Sequence, residues 1–214
     1  MHCLKITRQG FSPNASSLRC TACRRALLLI VSRCRYSALL LIFGAVILQP
    51  ARANAQTDEY RVKAAFLFHF AQLVDWPAGA PGDDKKLFNV CTLGEDPFHG
   101  DLDSAIDGKS IGLRTMRVHH LMQAEQVRAC QIVFIGKNEN KRIPALLAEL
   151  DNAPVMTVGE TDNFVRQGGI IGFCLDNDKV RFEINLVAAE HARLKISSRL
   201  LLLAKNVINN QPER

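Results

Sequence analysis

Gln131-Ile132-Val133-Phe134-Ile135-Gly136 is the stretch that decides the fold. Its four central residues are apolar without alternation, so an extended segment here needs cover on both faces. That is the condition of a strand inside a parallel sheet. Working outward, residues 87–93 and 113–119 read as strands, with a short helix and turn at 96–107 between them. Residues 125–128 and 143–150 read as helical, 154–158 as a strand and 162–167 as a short helix. Strands alternating with helical patterns imply a mainly parallel, covered sheet.

The two ends of this region differ from its middle. Residues 169–175 and 179–186 are joined by Asp176-Asn177-Asp178, a tight-turn composition. With Asn177 and Asp178 at the turn, Leu175–Val180, Phe173–Phe182 and Ile171–Ile184 pair on one apolar face. Cys174–Arg181 and Gly172–Glu183 pair on the other. The prediction is a three-layer, Rossmann-like α/β fold extended by an antiparallel C-terminal hairpin. At the other end, residues 59–75 repeat Ala64, Ala65, Phe68, Ala71 and Leu73 near helical spacing, widened by Phe66, Leu67 and Phe70, and stop at Trp76-Pro77. After the hairpin, a short helix is expected at 187–192, and Ser197 is placed to cap a last helix running to Asn209.

Residues 1–55 carry the pattern of an export signal. Arginines flank the apolar run 38–48, which is followed by Pro50 and Ala53-Asn54-Ala55. The run has 11 residues, against roughly 20 needed to span a bilayer, which favours a cleaved leader over an anchor. The expected organisation is a leader over 1–55 and one α/β domain over 56–214. The formal net charge of +6 belongs to the leader. Residues 1–55 hold 8 of the 27 basic residues and none of the 21 acidic ones, so 56–214 holds 19 basic against 21 acidic, a net of −2. The domain has no cationic excess with which to neutralise phosphates, and nucleic acid is not an expected partner. Four of the seven cysteines, Cys3, Cys20, Cys23 and Cys34, fall in the leader; Cys91, Cys130 and Cys174 remain. An odd number in an oxidising compartment means one pair and a spare thiol, or a thiol shared between subunits.

Motifs for chemistry are sparse. There is no Gly-x-Ser-x-Gly and no P-loop, and Gly168-Gly169-Ile170-Ile171-Gly172 fits entry into a strand better than a phosphate cradle. His119 and His120 are adjacent on a strand, so they point to opposite faces and chelate poorly. His69 reads as a helix histidine, and Asp176 and Asp178 as a solvated turn. No catalytic residue, metal site or cofactor is expected. Glu183 beside Arg181, in a sheet that should be covered, must be paired or must meet a partner. The run Leu200 to Leu203 cannot turn every side chain into one core. Phe173, Arg181, Glu183, Leu200 and Leu203 are therefore the candidate partner-binding or switch surface.

Two strings carry a resemblance: Val62-Lys63-Ala64-Ala65-Phe66-Leu67-Phe68 through Trp76-Pro77, and Val180-Arg181-Phe182-Glu183-Ile184-Asn185-Leu186 through Leu194-Lys195-Ile196-Ser197-Ser198. Over essentially all of residues 56–214 the chain resembles the YfiR/HmsC-like periplasmic family. The resemblance implies a non-enzymatic repressor that binds the periplasmic domain of an inner-membrane diguanylate cyclase. It would thereby restrain cyclic-di-GMP synthesis, exopolysaccharide and biofilm formation. It also implies an outer-membrane lipoprotein that sequesters the repressor, and a homodimer. The family's disulfide spacing matches Cys91 and Cys130, which the strand reading places on neighbouring strands. Where some members have a second bridge, Val165 and Gly172 stand here, leaving Cys174 without an obvious partner. An alternative is a periplasmic small-ligand-binding module feeding a histidine kinase or cyclase, with its pocket beside the carboxyl ends of the parallel strands.

Overall fold

The computed structural model describes residues 52–81 and 86–209, with side chains from residue 58 onward. The leader reading thus lies almost wholly outside the described residues. Helix α1 spans Arg52–Leu73. Its buried side chains are Tyr60, Lys63, Ala64, Leu67, Phe70 and Ala71, a stripe at helical spacing. The expected stripe was offset: Ala65 is exposed, while Phe68 and Leu73 are half-buried. The helix also stops two residues early. Val74–Asp75 (β1) instead pairs antiparallel with Lys195–Ile196, so the backbone ahead of Trp76-Pro77 is extended, as a residue approaching proline prefers.

Next come β2 (Leu87–Leu93), α2 (Asp101–Ile106), β3 (Ser110–Ile111), β4 (Arg114–Leu121), a 3₁₀ turn at Ala124–Ala129 and β5 (Ile132–Ile135). A second 3₁₀ turn (Lys137–Arg142) leads into α3 (Ile143–Glu149), β6 (Met156–Gly159), β7 (Ile171–Asp176) and β8 (Lys179–Asn185). The described residues close with α4 (Leu186–His191), β9 (Lys195–Ile196), α5 (Ser198–Leu203) and β10 (Asn206–Ile208). The main sheet runs β10-β8-β7-β6-β5-β2-β4-β3. β7, β6, β5, β2 and β4 are mutually parallel. The chain leaves β2 to one side for β4 and returns to its other side for β5, so the strand order reverses between β2 and β5.

All four residues of β5 are buried, alternately on two cores. Ile132 and Phe134 join the layer under α1, α2 and α5; Val133 and Ile135 join the layer under α3. Aromatic rings fill the first layer, where Phe70 meets Phe182 edge-on at 5.0 Å between centroids and Phe98 meets Phe134 at 4.8 Å. The hairpin register is the expected one at every pair named above.

Of two helices expected in the C-terminal half, one does not form and the other stops short. Residues 162–167 are successive turns, because Asn163 sits at φ 61°, left-handed backbone that an α-helix cannot continue through. The last helix does not reach Asn209. Ser197 caps it as expected, its hydroxyl accepting from Leu200 N at 3.3 Å, but Ala204 is extended and Lys205 N donates to the Phe182 carbonyl at 2.8 Å. Asn206–Ile208 then pairs parallel with β8. Four leucines favour helix, but Val207 and Ile208 satisfy a strand edge that would otherwise stay open.

Candidate functional site

The distal sheet corner, β7–β8–β10, collects the polar residues singled out from sequence. Odd-numbered β8 residues point away from the aromatic core. Arg181 is exposed, Glu183 half-buried, and Cys174 lies directly across from Arg181. Asn206 of β10 pairs with Glu183 on the other side, and Lys205 Nζ reaches Asp176 Oδ1 at 3.3 Å. Burial first, then the Glu183 carboxylate, pushes the Cys174 thiol above its ordinary range. A thiol held protonated is a poor nucleophile.

Two of the five predicted surface residues are not on a surface. Phe173 is 5% exposed and packs against Phe66, Phe70 and Phe134; Leu200 is 1% exposed. Phe173 points inward because it shares the core register with Ile171 and Phe182. Leu200 turns inward because the capped first turn of α5 packs on α1. The exposed members of the leucine run are Leu202, at 86%, and Leu203, at 52%. Both lie on α5, which covers the aromatic face of the sheet, so they sit at the same distal edge as Arg181 and Glu183 but on its other face.

The Cys91–Cys130 disulfide is present and joins β2 to the start of β5 with 6.1 Å between Cα atoms. Both cysteines are buried, and Cys174 is free. No group of three or more His, Cys, Asp or Glu residues arranged to hold a metal occurs among the described residues. His119 and His120 part as the strand reading requires: His119 Nε2 lies 3.2 Å from Asn89 Oδ1, His120 Nδ1 lies 2.8 Å from Thr92 Oγ1. His120 Nε2 also faces Asp103 Oδ2 at 3.2 Å. This hydroxyl–imidazole–carboxylate chain resembles a nucleophile relay, but Thr92 is fully buried and its hydroxyl cannot meet a substrate.

The sequence reading missed one polar cluster. Lys63, on the buried stripe of α1, places Nζ 2.5 Å from Glu160 Oε2 and 2.5 Å from Glu59 Oε1. The Lys63 and Glu160 side chains are 3% and 2% exposed. The Tyr60 hydroxyl sits 3.1 Å from both Glu160 oxygens. Lys63 Nζ also lies 4.4 Å above the Tyr60 ring. Burial, followed by the Glu160 charge, drives the Tyr60 phenol well above its usual range, so it acts as a donor. The available signal was a lysine at i+3 from a tyrosine and i−4 from a leucine, inside an apolar stripe. Its partner, 97 residues away, had no local mark.

Fold and site together define a disulfide-bridged, doubly wound α/β domain with a polar, leucine-flanked corner. The YfiR/HmsC-like family model matches residues 60–205, and the chain belongs to that family. Its members are periplasmic regulators of cyclic-di-GMP signalling, regulatory and not catalytic. No curated protein matches the chain. Among solved structures, it is similar to a conserved domain protein from Vibrio cholerae O1 biovar eltor, with TM-score 0.40 and 10% identity over 56% of this chain and 54% of that one. It is also similar to an ABC domain in complex with L-Trp from Streptococcus pneumonia, with TM-score 0.42 and 10% identity over 60% and 57%. The chain thus spans little more than half the length of either. No helix among the described residues is long and apolar enough to cross a membrane.

Proposed function

We propose that this protein is exported by its leader and represses an inner-membrane diguanylate cyclase by binding that enzyme's periplasmic domain. Repression is a population shift: the protein binds the inactive arrangement of the cyclase more tightly and performs no chemistry itself. An outer-membrane lipoprotein that competes for the same corner would relieve it, and the repressor acts as a homodimer. The observation that carries this reading, beside family membership, is the exposure of Leu202 and Leu203 on α5 at the sheet edge whose β8 carries Arg181 and Glu183. Large exposed apolar side chains at an edge that also bears charged residues suit an interface core with a polar rim.

The test is cellular cyclic-di-GMP in a strain expressing an inner-membrane diguanylate cyclase with a periplasmic domain, with periplasmic levels of each variant matched. Leu202→Asp/Leu203→Asp and Glu183→Ala should each fold normally and release cyclic-di-GMP synthesis. Full repression by both folded variants would refute the assignment of this corner.

A further inference from the structure

The β6–β7 connection covers the sheet with buried Phe164 and Val165, but as turns and not as a helix. In a doubly wound fold the connection between adjacent parallel strands packs on the sheet as a helix. Here the connection is a run of turns, and its last turn opens toward residues of α3 and α4. A groove of about 560 Å³ opens there, within the range of small-molecule sites. Val155, Thr157, Ile170 and Asn185, all buried, form its floor. Leu147 of α3 and Ala188 of α4 form the walls, and Arg166 and His191 stand at the rim. The groove is at the amino ends of β6 and β7, opposite the carboxyl-end location expected for a ligand pocket.

The polar groups of the floor are committed within the protein. Thr157 Oγ1 accepts from Ile170 N at 3.0 Å; Asn185 Nδ2 donates to the Val165 carbonyl at 2.8 Å and its Oδ1 accepts from Ala188 N at 3.0 Å. On the rim, the Asp151 carboxylate accepts from Asn152 Nδ2 at 2.9 Å. Among the described residues, Arg166 makes no side-chain hydrogen bond or ion pair, and it lies on the turn that replaces the missing helix. An apolar floor with an uncommitted guanidinium at its edge matches a ligand with an apolar body and an anionic head.

We propose that this groove is a binding site for a small amphipathic carboxylate, its head on Arg166 and its body over Val155, Ile170 and Ala188. The site is separate from the corner assigned to the partner and does not depend on that assignment.

Octanoate is the probe, with octylamine as its opposite-charge control, titrated into the purified full domain and followed by amide chemical shifts. Octanoate should give saturable shifts at Thr157, Ile170 and Ala188, and octylamine should not. Arg166→Gln should weaken octanoate by at least about tenfold, the loss expected for one charge-assisted hydrogen bond, with unchanged melting. Ala188→Trp should close the groove and abolish the shifts. Equal shifts from both probes, shifts confined to Leu202 and Leu203, or an Arg166→Gln affinity equal to wild type would each overturn the proposal.

Discussion

Removing Lys63 tests whether the buried polar cluster or the surrounding apolar contacts holds α1 to the sheet. At 2.5 Å and an effective dielectric of about 20, the Lys63–Glu160 attraction is roughly 7 kcal/mol before desolvation. Desolvation costs several kcal/mol per ion, so the intact pair contributes little net stability. Loss of one partner is different. In Lys63→Met the Glu160 carboxylate keeps only the Tyr60 hydroxyl and a long approach from Lys137 N, 3.4 Å, while Glu59 can turn toward water. The expected cost is about 3–5 kcal/mol, the range for stranding a buried charge, or a fall in Tm of roughly 10 °C for a domain this size. Glu160→Gln should cost less, about 1–3 kcal/mol, since Lys63 retains Glu59. Combining Lys63→Met with Glu160→Leu removes both charges and should recover most of the loss. Urea unfolding followed by circular dichroism reads all three. A Lys63→Met cost under about 1 kcal/mol, or a double variant no better than the sum of the singles, would refute the reasoning.

Four further outcomes are expected. Tyr60 has a raised folded-state pKa, so its stabilisation is complete below the unfolded value near pH 10 and is lost as pH climbs beyond it. The stability difference between wild type and Tyr60→Phe should therefore narrow above about pH 10, measured by urea midpoints across pH. The Cys91→Ala/Cys130→Ala variant opens a loop with sequence separation 39 and should lose about 4 kcal/mol in the chain-entropy model, read by calorimetry. Gly169→Ala would drive a methyl to 2.1 Å from the buried Phe164 ring, costing at least about 1–3 kcal/mol; a partial rescue by Phe164→Leu would locate the strain. Cys174 should alkylate slowly at pH 8, and Glu183→Gln should speed it by removing a nearby negative charge. An unchanged rate would contradict that electrostatic account.

Much of the fold was legible along the chain. Continuous apolarity at 132–135 marked a strand covered on both faces, and alternation across Asp176-Asn177-Asp178 carried the hairpin's register pair by pair. Strand period and turn chemistry are local properties, set by neighbours two residues away. The helical stripe of α1 was harder, because Ala, Leu and Phe crowd every side of that segment and only contact with the sheet selects Leu67 over Phe68.

Local chemistry along the chain was enough for the element types over most of its length, the cysteine spacing that permits the bridge, and two family-bearing strings. Tertiary structure alone decided the rest. Residues 206–208 became a strand because β8 offered an open edge, and helical propensity over four leucines could not outweigh those backbone hydrogen bonds. Phe173 and Leu200 went inside while Leu202 and Leu203 stayed out. Lys63 found Glu160 across 97 positions. Each of these depends on which surfaces meet after folding, and desolvation is settled only where two distant segments close on each other.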